Sequence, residues 1–333
     1  MKFYSHPEKT MLEHLTEVKE LSISKIPNEL KEAYEIVAVC HDFGKYTSYF
    51  QRYLKYNKKS KLSNHSFISA TFGGYIGLRR FGEGNILPLI IYNTILHHHG
   101  NLKNFSVNLP DTFKEVSKTD FSVNVLEKID IAYEQINDMK ENINFIKPDM
   151  EKLGILKEFI SFTQEENIIE ETLSKLKKLD LLSIRGLKSE KNYFTHQILY
   201  SALISADKIS ASNTFLPKEM HGNYEILDSI RKDKFGKPTK AIDKIRTDIY
   251  TKVIKSIEEN YDKSKIFSIT APTGTGKTIT GFFAALKLKE LLGDNRRIIY
   301  SLPFTSIIEQ NYDVLFDVFR GIEDFEQNYS SYI

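Results

Sequence analysis

Ile36-Val37-Ala38-Val39-Cys40-His41-Asp42-Phe43-Gly44-Lys45 is an apolar run that ends in a histidine and an aspartate side by side. Pro27-Asn28 upstream is a helix-start signal and Gly44 suits a C-cap, so the stretch reads as a buried helix whose end leaves the core. Such a helix delivers an imidazole and a carboxylate on a rigid support. Neighbours on a helix diverge by about 100°, so the pair would straddle a metal centre instead of chelating one ion from one side. A His-Asp dipeptide alone is a weak signal. Its weight comes from His14, His65, His98, His99 and Asp207, each on a segment with its own reason to face inward.

His14 shares the stripe Met11, Leu15, Val18 and Leu21 of an amphipathic helix over residues 10–21. Ser63-Asn64 caps a helix beginning at His65, and Gly73-Gly74 within it implies close packing against a neighbour. An almost wholly apolar helix runs from Pro88 into His97-His98-His99-Gly100. Three successive histidines sweep about 200° of helix surface. His98 and His99, next to the cap, are therefore the site candidates and His97 the outer one. Asp207 continues the line of Leu199 and Leu203, and a carboxylate on an apolar stripe needs a cation, a hydrogen-bond network or a metal.

The chain has 333 residues, enough for two domains, and its 41% hydrophobic and 27% charged content is ordinary for a soluble protein. A net charge of +2 gives no overall basicity, so nucleic-acid binding has to rest on local clusters. Cys40 is the only cysteine, which excludes disulfides within the chain, cysteine-type zinc sites and iron–sulfur clusters. It reads as a core residue. Residues 1–9 carry no apolar signal core, and the longest apolar run, 86–96, is too short to cross a bilayer. The expectation is a cytoplasmic protein with no membrane partner.

Tyr49, Arg52, Tyr53 and Lys55 interleave rings with cations after the His-Asp pair. Bases stack on rings while cations follow phosphates, so this stretch suits a single-stranded nucleic acid, although a solvated lysine loop has the same composition. Residues 101–190 read as a charged helical insertion completing a bundle, with helices over 125–139, 150–162 and 168–182. Residues 216–240 have linker composition, with His221 isolated in it.

Beyond 241 the pattern alternates. A helix over 241–258 leads to a strand at 266–270, then Ala271-Pro272-Thr273-Gly274-Thr275-Gly276-Lys277-Thr278, a helix to Leu292, a strand at 297–302 and a helix from Thr305. That order is a phosphate loop opening an α/β domain. Backbone N–H groups cradle phosphate, Lys277 reaches the β- and γ-phosphates, and Thr278 holds magnesium, making Mg-ATP the expected ligand. No acidic pair on a later strand and no γ-phosphate-sensing arginines precede Ile333. Weak ATP binding with hydrolysis near zero is the expectation for this chain, read as part of a longer motor.

Five histidines and two aspartates can be grouped by chemistry. Two divalent ions about 3.5–4 Å apart need a bridging carboxylate and several imidazoles, and together they clamp a phosphodiester. Asp42 is the candidate bridge. Imidazole-rich ligation favours iron, manganese, cobalt, nickel or zinc over magnesium. Lys45 is placed to pair with the scissile phosphate.

The ordered set His14, His41-Asp42-Phe43-Gly44-Lys45 with Phe50-Gln51, His65, His98-His99-Gly100, Ser205-Ala206-Asp207, the phosphate loop, and Tyr300-Ser301-Leu302-Pro303-Phe304-Thr305-Ser306-Ile307-Ile308-Glu309-Gln310 resembles the CRISPR-associated helicase–nucleases of type I interference systems. The resemblance implies an all-α HD-type domain over 1–215, a linker over 216–240, and the first part of a RecA-like superfamily 2 helicase lobe over 241–333. It implies one ion on His14, His41, Asp42 and Asp207 and another on Asp42, His65, His98 and His99. It further implies degradation of single-stranded DNA, recruitment by an RNA-guided surveillance complex, and a remainder of the helicase in the same or a second chain. Two other readings stay open on the residues themselves: a nucleotide phosphohydrolase using the same His-Asp arrangement, and a non-catalytic docking module braced by its metals.

Overall fold

The computed structural model describes residues 2–103, 105, 109, 120–186, 189–212, 224–293, 298–302 and 305–319. It divides into two compact units, Met1–Phe215 and Leu216–Ile333. His221, Arg297 and Pro303-Phe304 lie outside the described residues.

The first unit opens with an antiparallel hairpin, β1 (Tyr4–His6) and β2 (Lys9–Thr10). Thr10 then caps α1 (Met11–Ile23): its side chain accepts from the Glu13 N–H and the Glu13 carboxylate accepts from the Thr10 N–H. This reciprocal cap satisfies two N–H groups that the first turn leaves open. The buried face of α1 is Met11, His14, Leu15, Val18 and Ser22. A 3-10 turn over Asn28–Leu30, after Pro27, feeds α2 (Lys31–Cys40).

The helix ends at Cys40 with His41 as its cap residue, and Phe43–Tyr46 forms a 3-10 turn. Gly44 is therefore not the expected C-cap. It sits inside that turn against α4 (Ser66–Phe81), where a Cβ would lie 2.6 Å from Ile68 Cγ2 and 2.8 Å from His65 Cα. The requirement for glycine comes from the approach of another helix.

Thr47 caps α3 (Ser48–Tyr56), accepting from the Phe50 N–H at 3.2 Å. α4 and α5 (Leu87–Leu96) then pack through small residues. A Cβ on Gly77 would lie 3.0 Å from Pro88 Cα, and one on Gly74 3.3 Å from Tyr92 Cβ, so the paired glycines do serve close helix contact. α5 stops at Leu96, and His97–His99 form the turn that follows.

Four helices follow: α6 (Asp120–Glu141), α7 (Ile143–Lys152), α8 (Leu156–Gln164) and α9 (Ile168–Gly186). The single helix expected over 150–162 is broken where Gly154 adopts φ +75°. This segment is integral to the core. Phe43 stacks on Phe72 at 4.1 Å and meets the edges of Phe159 and Phe162 at 6.0 and 6.2 Å. Tyr46 donates to Asp149 at 3.0 Å and the Ser48 N–H donates to Asp138 at 2.6 Å, tying α6 and α7 to the His-Asp turn. α10 (Glu190–Ser212) closes the unit, burying Leu199, Leu203, Ala206 and Ser210.

In the second unit, α11 (Tyr224–Phe235) occupies part of the stretch read as linker. Asp228 on it pairs with Arg231 at 2.7 Å and with Lys232 at 2.8 Å, and Arg231 lies 3.7 Å over the Tyr250 ring. α12 (Ala241–Asn260), α13 (Lys277–Leu292) and α14 (Thr305–Phe319) complete the described helices. Tyr224, Tyr250, Ile254, Phe283 and Leu286 form their core.

The expected strands are not formed. Among the described residues 266–270 and 298–302 have no ladder partner, and Ile266 and Ile299 are 86% and 84% exposed. Parallel strands are held by neighbouring strands and covering helices, so an apolar run alone does not make one. Across the described residues no helix is long and apolar enough to cross a membrane.

Candidate metal centre

Five elements deliver the ligands. His14 comes from the buried face of α1, His41 and Asp42 from the end of α2, and His65 from the N-cap of α4. His98 and His99 come from the turn after α5, and Asp207 from α10. All seven sequence-predicted ligands converge, in two groups that share Asp42: His14, His41, Asp42 and Asp207; and Asp42, His65, His98 and His99. Within each group the donor atoms all lie within 4.8 Å of one another.

The two oxygens of Asp42 divide between the groups. Oδ2 lies 3.2 Å from His14 Nε2 and 3.4 Å from His41 Nε2, whereas Oδ1 lies 3.2 Å from His65 Nε2 and 3.5 Å from His98 Nε2. Asp207 Oδ1 completes the first group, 3.2 Å from His14 and 3.5 Å from His41. Lys45 is buried in the next turn, with Nζ 2.7 Å from Asp42 Oδ2 and 5.2 Å from the Phe50 ring centre.

The backbone aims the rings. His41 Nδ1–H donates to Ala38 O at 2.8 Å and His98 Nδ1–H to Ile95 O at 2.6 Å. A ring nitrogen facing a carbonyl has to carry the proton, which leaves Nε2 as a lone pair for a metal. His14 Nδ1 lies 2.8 Å from Ser210 Oγ, which in turn donates to Glu17 Oε2 at 2.5 Å. Lys9 holds the same corner, donating to Ser210 O at 2.6 Å and pairing with Glu17. Ser210, Glu17 and Lys9 were not evident in sequence. The available signal was spacing: Ser210 lies one turn beyond Asp207 and Glu17 one turn beyond His14. His6, also unremarked, brings its ring centre to 5.1 Å from that of His14.

The donor set fits metal ions on two counts. His14 and His41 oppose Nε2 atoms at 3.2 Å, and His65 and His99 do so at 2.9 Å. Lone pairs meeting at that range repel unless a cation, proton or metal, lies between them. Asp42 Oδ1 and His98 Nε2 are also buried without a hydrogen bond aligned to them, whereas Oδ2 meets the Lys45 ammonium. Buried polar atoms are almost always satisfied, and a shared cation would satisfy these.

Electrostatics shows the same competition. Burial opposes charge on His41, but the Asp42 charge and its bonds to Asp207 and Asp42 raise it to about 10. Burial lowers His65 to about 4, against the pull of Asp42. Burial, followed by the His98 and His65 charges, lowers His99 to about 3. For Asp42, burial favours the neutral acid, yet Lys45 and His41 hold it well below the usual carboxylate range. Asp207 is likewise held far down, burial being outweighed by bonds from His14 and His41.

Beside this centre α3 leads outward. Phe50 packs edge-on against the His65 ring at 5.5 Å and against Tyr53 at 5.8 Å. Arg52 and Lys55 are exposed, and Tyr49 and Tyr53 are half-buried. Tyr49 lies among the charges of Asp138, Glu134 and Glu141, which sets it apart from the cationic candidates. His97 faces away from the ligands and lines a separate cavity.

In the second unit the phosphate loop runs Ala271 to Thr278. Gly274 and Gly276 take φ +77° and +84°, a region that side chains disfavour, and α13 starts at Lys277. Lys277 Nζ donates to Ala271 O at 2.6 Å and Pro272 O at 3.2 Å, while Thr275 Oγ donates to Pro272 O at 2.7 Å. Arg246 braces the loop, donating to Gly274 O through Nε and Nη2 at 3.1 and 2.9 Å.

In one chain, a helical unit carrying a cluster of imidazoles and carboxylates is followed by a unit whose glycine-bearing loop opens a helix at Lys277. Two comparisons narrow the kinship. Residues 247–330 match the family model described as DEAD/DEAH box helicase. The chain is also 25% identical, over 304 aligned residues, to the CRISPR-associated nuclease/helicase Cas3 of Haloferax volcanii. That match covers 84% of this chain and 32% of the relative, so the chain spans about a third of the relative's length. The second unit begins at Leu216, so a match of that extent reaches well into the first. The likeness is thus to Cas3-type helicase–nucleases.

Proposed function

We propose that the first unit is an HD-type, metal-dependent nuclease acting on single-stranded DNA in type I CRISPR interference. The observation that carries this reading is the shared Asp42 carboxylate, with one oxygen turned to each of two imidazole-rich groups. His14, His41 and Asp207 would hold one ion and His65, His98 and His99 the other, with Asp42 common to both. Bound there, two ions of iron, manganese, cobalt, nickel or zinc would supply Lewis acidity toward a phosphodiester and a nucleophile near neutral pH.

The chain's own residues do the positioning. Carbonyls Ala38 O and Ile95 O lock two ring tautomers, and Ser210 orients a third. Lys45 sets an ammonium beside the bridging carboxylate, where a scissile phosphate would meet it. Arg52, Tyr53 and Lys55 on α3, with Tyr49 at the edge, offer charge and rings to the backbone and bases of an unpaired strand. Sequence choice would come from a partner, the RNA-guided surveillance complex, leaving this unit to read backbone. The phosphate loop, residues 271–278, would take Mg-ATP, with Lys277 released from its carbonyls onto phosphate and Thr278 onto magnesium.

The test is incubation of the chain with circular single-stranded DNA and manganese, nickel, cobalt, iron or zinc in turn. Cutting that depends on one of these and disappears in Asp42→Ala is expected. Intact circles with every metal, or phosphate released from mononucleotides while circles stay intact, would overturn the nuclease reading.

A further inference from the structure

Gln51 on α3 folds its amide back between strand β1 and the turn that carries Lys45. Its Oε1 accepts from the Tyr4 N–H at 3.0 Å, and its Nε2 donates to Tyr4 O and to Lys45 O, both at 2.9 Å. A primary amide has two N–H donors, so each carbonyl takes one and both sides of the group are committed. Gln51 pairs with Tyr4 as a residue of a neighbouring strand would, and it adds the Lys45 carbonyl to that pairing.

The hairpin it grips is fixed elsewhere as well. Lys9 of β2 donates to Ser210 O at 2.6 Å, and the Met11 N–H donates to Phe3 O at 2.9 Å. Ser5 is buried, with its hydroxyl on Lys9 O at 3.3 Å. Buried Phe3 meets Tyr46 edge-on, with ring centres 5.4 Å apart. The hairpin is thereby a strut running from the Ser210 corner behind His14 to the turn that holds Lys45.

We infer that Gln51 is a positioning residue for the substrate strand: it locks the Lys45 turn to this strut and so fixes where the Lys45 ammonium stands. The other contacts of Lys45 are local. Its N–H donates to Asp42 O at 2.8 Å, its Nζ lies 2.7 Å from Asp42 Oδ2, and the ammonium stands over the Phe50 ring. Through Gln51 its backbone is referred to β1, and through the hairpin to α10. An ammonium on a flexible four-carbon stem aims poorly by itself. A working group has to be held within about 0.5 Å of its productive position, and the residues behind it do the holding. The inference rests on the reading of Lys45 as the contact for a scissile phosphate.

The experiment is a double-mutant cycle on the full-length, manganese-loaded chain, read by calorimetric titration with a cleavage-resistant phosphorothioate oligothymidylate. Lys45→Met should weaken binding about tenfold or more, as for loss of one hydrogen bond to a charged group. Gln51→Met should weaken it about tenfold, and the double variant should bind no more weakly than Lys45→Met alone, because one residue acts through the other. Gln51→Asn, an amide one methylene too short to span Tyr4 and Lys45, should behave like Gln51→Met. Metal content should stay at two ions and circular dichroism should not change. A merely structural role would lower the thermal midpoint and leave the two substitutions additive. Additivity, wild-type affinity in both Gln51 variants, loss of an ion from them, or no strand bound by the wild type would overturn the inference. Cutting of circular single-stranded DNA, run in parallel, separates the two readings. A coupled cycle with circles intact under every metal would sink the nuclease reading and keep the positioning role, whereas circles cut at the wild-type rate by Gln51→Met would do the reverse.

Discussion

Ser210 Oγ stands 2.8 Å from His14 Nδ1 across 196 positions of sequence, and the same hydroxyl donates to Glu17. A hydroxyl committed as donor to a carboxylate can only accept from the imidazole. His14 Nδ1 is thereby fixed as the donor to Ser210, and Nε2 is the nitrogen that faces Asp42, Asp207 and a bound metal. The partner that orients a ligating ring typically contributes about 10–100-fold to metal affinity. Ser210→Ala should therefore weaken the first ion by that order and leave the second unchanged, while Ser210→Thr restores it. Competition with a chromophoric chelator reads both affinities. Equal affinities in wild type and Ser210→Ala would mean that the hydroxyl does not orient the ring.

What the sequence could and could not disclose follows from the range of the interactions involved. His14 and Asp207 were legible because each stands on an apolar stripe, where a polar group has to find a partner locally or across the core. The α4–α5 contact was legible in Gly73-Gly74 for the same reason: absent side chains imply a close neighbour. Ser210 left no such mark, since serine is unremarkable on a helix and its role depends on α1 lying alongside. The apolar runs at 266–270 and 297–302 read as strands, but ladders depend on other segments that a local pattern does not specify. Residues 216–240 read as linker because of Pro217, His221-Gly222-Asn223 and the charged run from Arg231, yet Asp228, Arg231 and Tyr250 satisfy one another in the folded unit.

Gly44 shows how a local reading can be right about the residue and wrong about the cause. Its added Cβ would overlap Ile68 Cγ2 at 2.6 Å, which a rotamer change could relieve, and His65 Cα at 2.8 Å, which it could not. Gly44→Ala has to displace the start of α4, and His65 with it, away from Asp42. Overpacking of this kind costs about 1–3 kcal/mol. The expected outcome is a lower urea midpoint and metal content reduced from two ions to one, with the His14–His41–Asp207 ion retained. Metal analysis beside a urea titration measures both. A variant that keeps both ions at wild-type stability would show that α4 yields to the methyl group without moving His65.

The metal-free protein should be most stable near pH 6.5, because its raised and its lowered histidines lose their stabilisation on opposite sides of that pH. His41 is raised from 6.5 to about 10 in the folded state. Its stabilisation is fully present below 6.5 and is lost as pH rises toward 10, because the unfolded chain releases that proton first. His65 and His99 are lowered from 6.5 to about 4 and about 3. Below 6.5 the unfolded chain takes up protons that these folded rings refuse, so stability also falls as pH drops toward 4. Metal loading removes the alkaline limb, since a ligated His41 carries no proton on Nε2, and it steepens the acid limb, since protons then compete with the ions. Thermal midpoints of chelated and metal-loaded protein across this range check both limbs, and His41→Gln should flatten the alkaline one in the chelated protein. A chelated protein whose midpoint climbs steadily above pH 6.5 would show that His41 is not the protonated partner of Asp42 and Asp207.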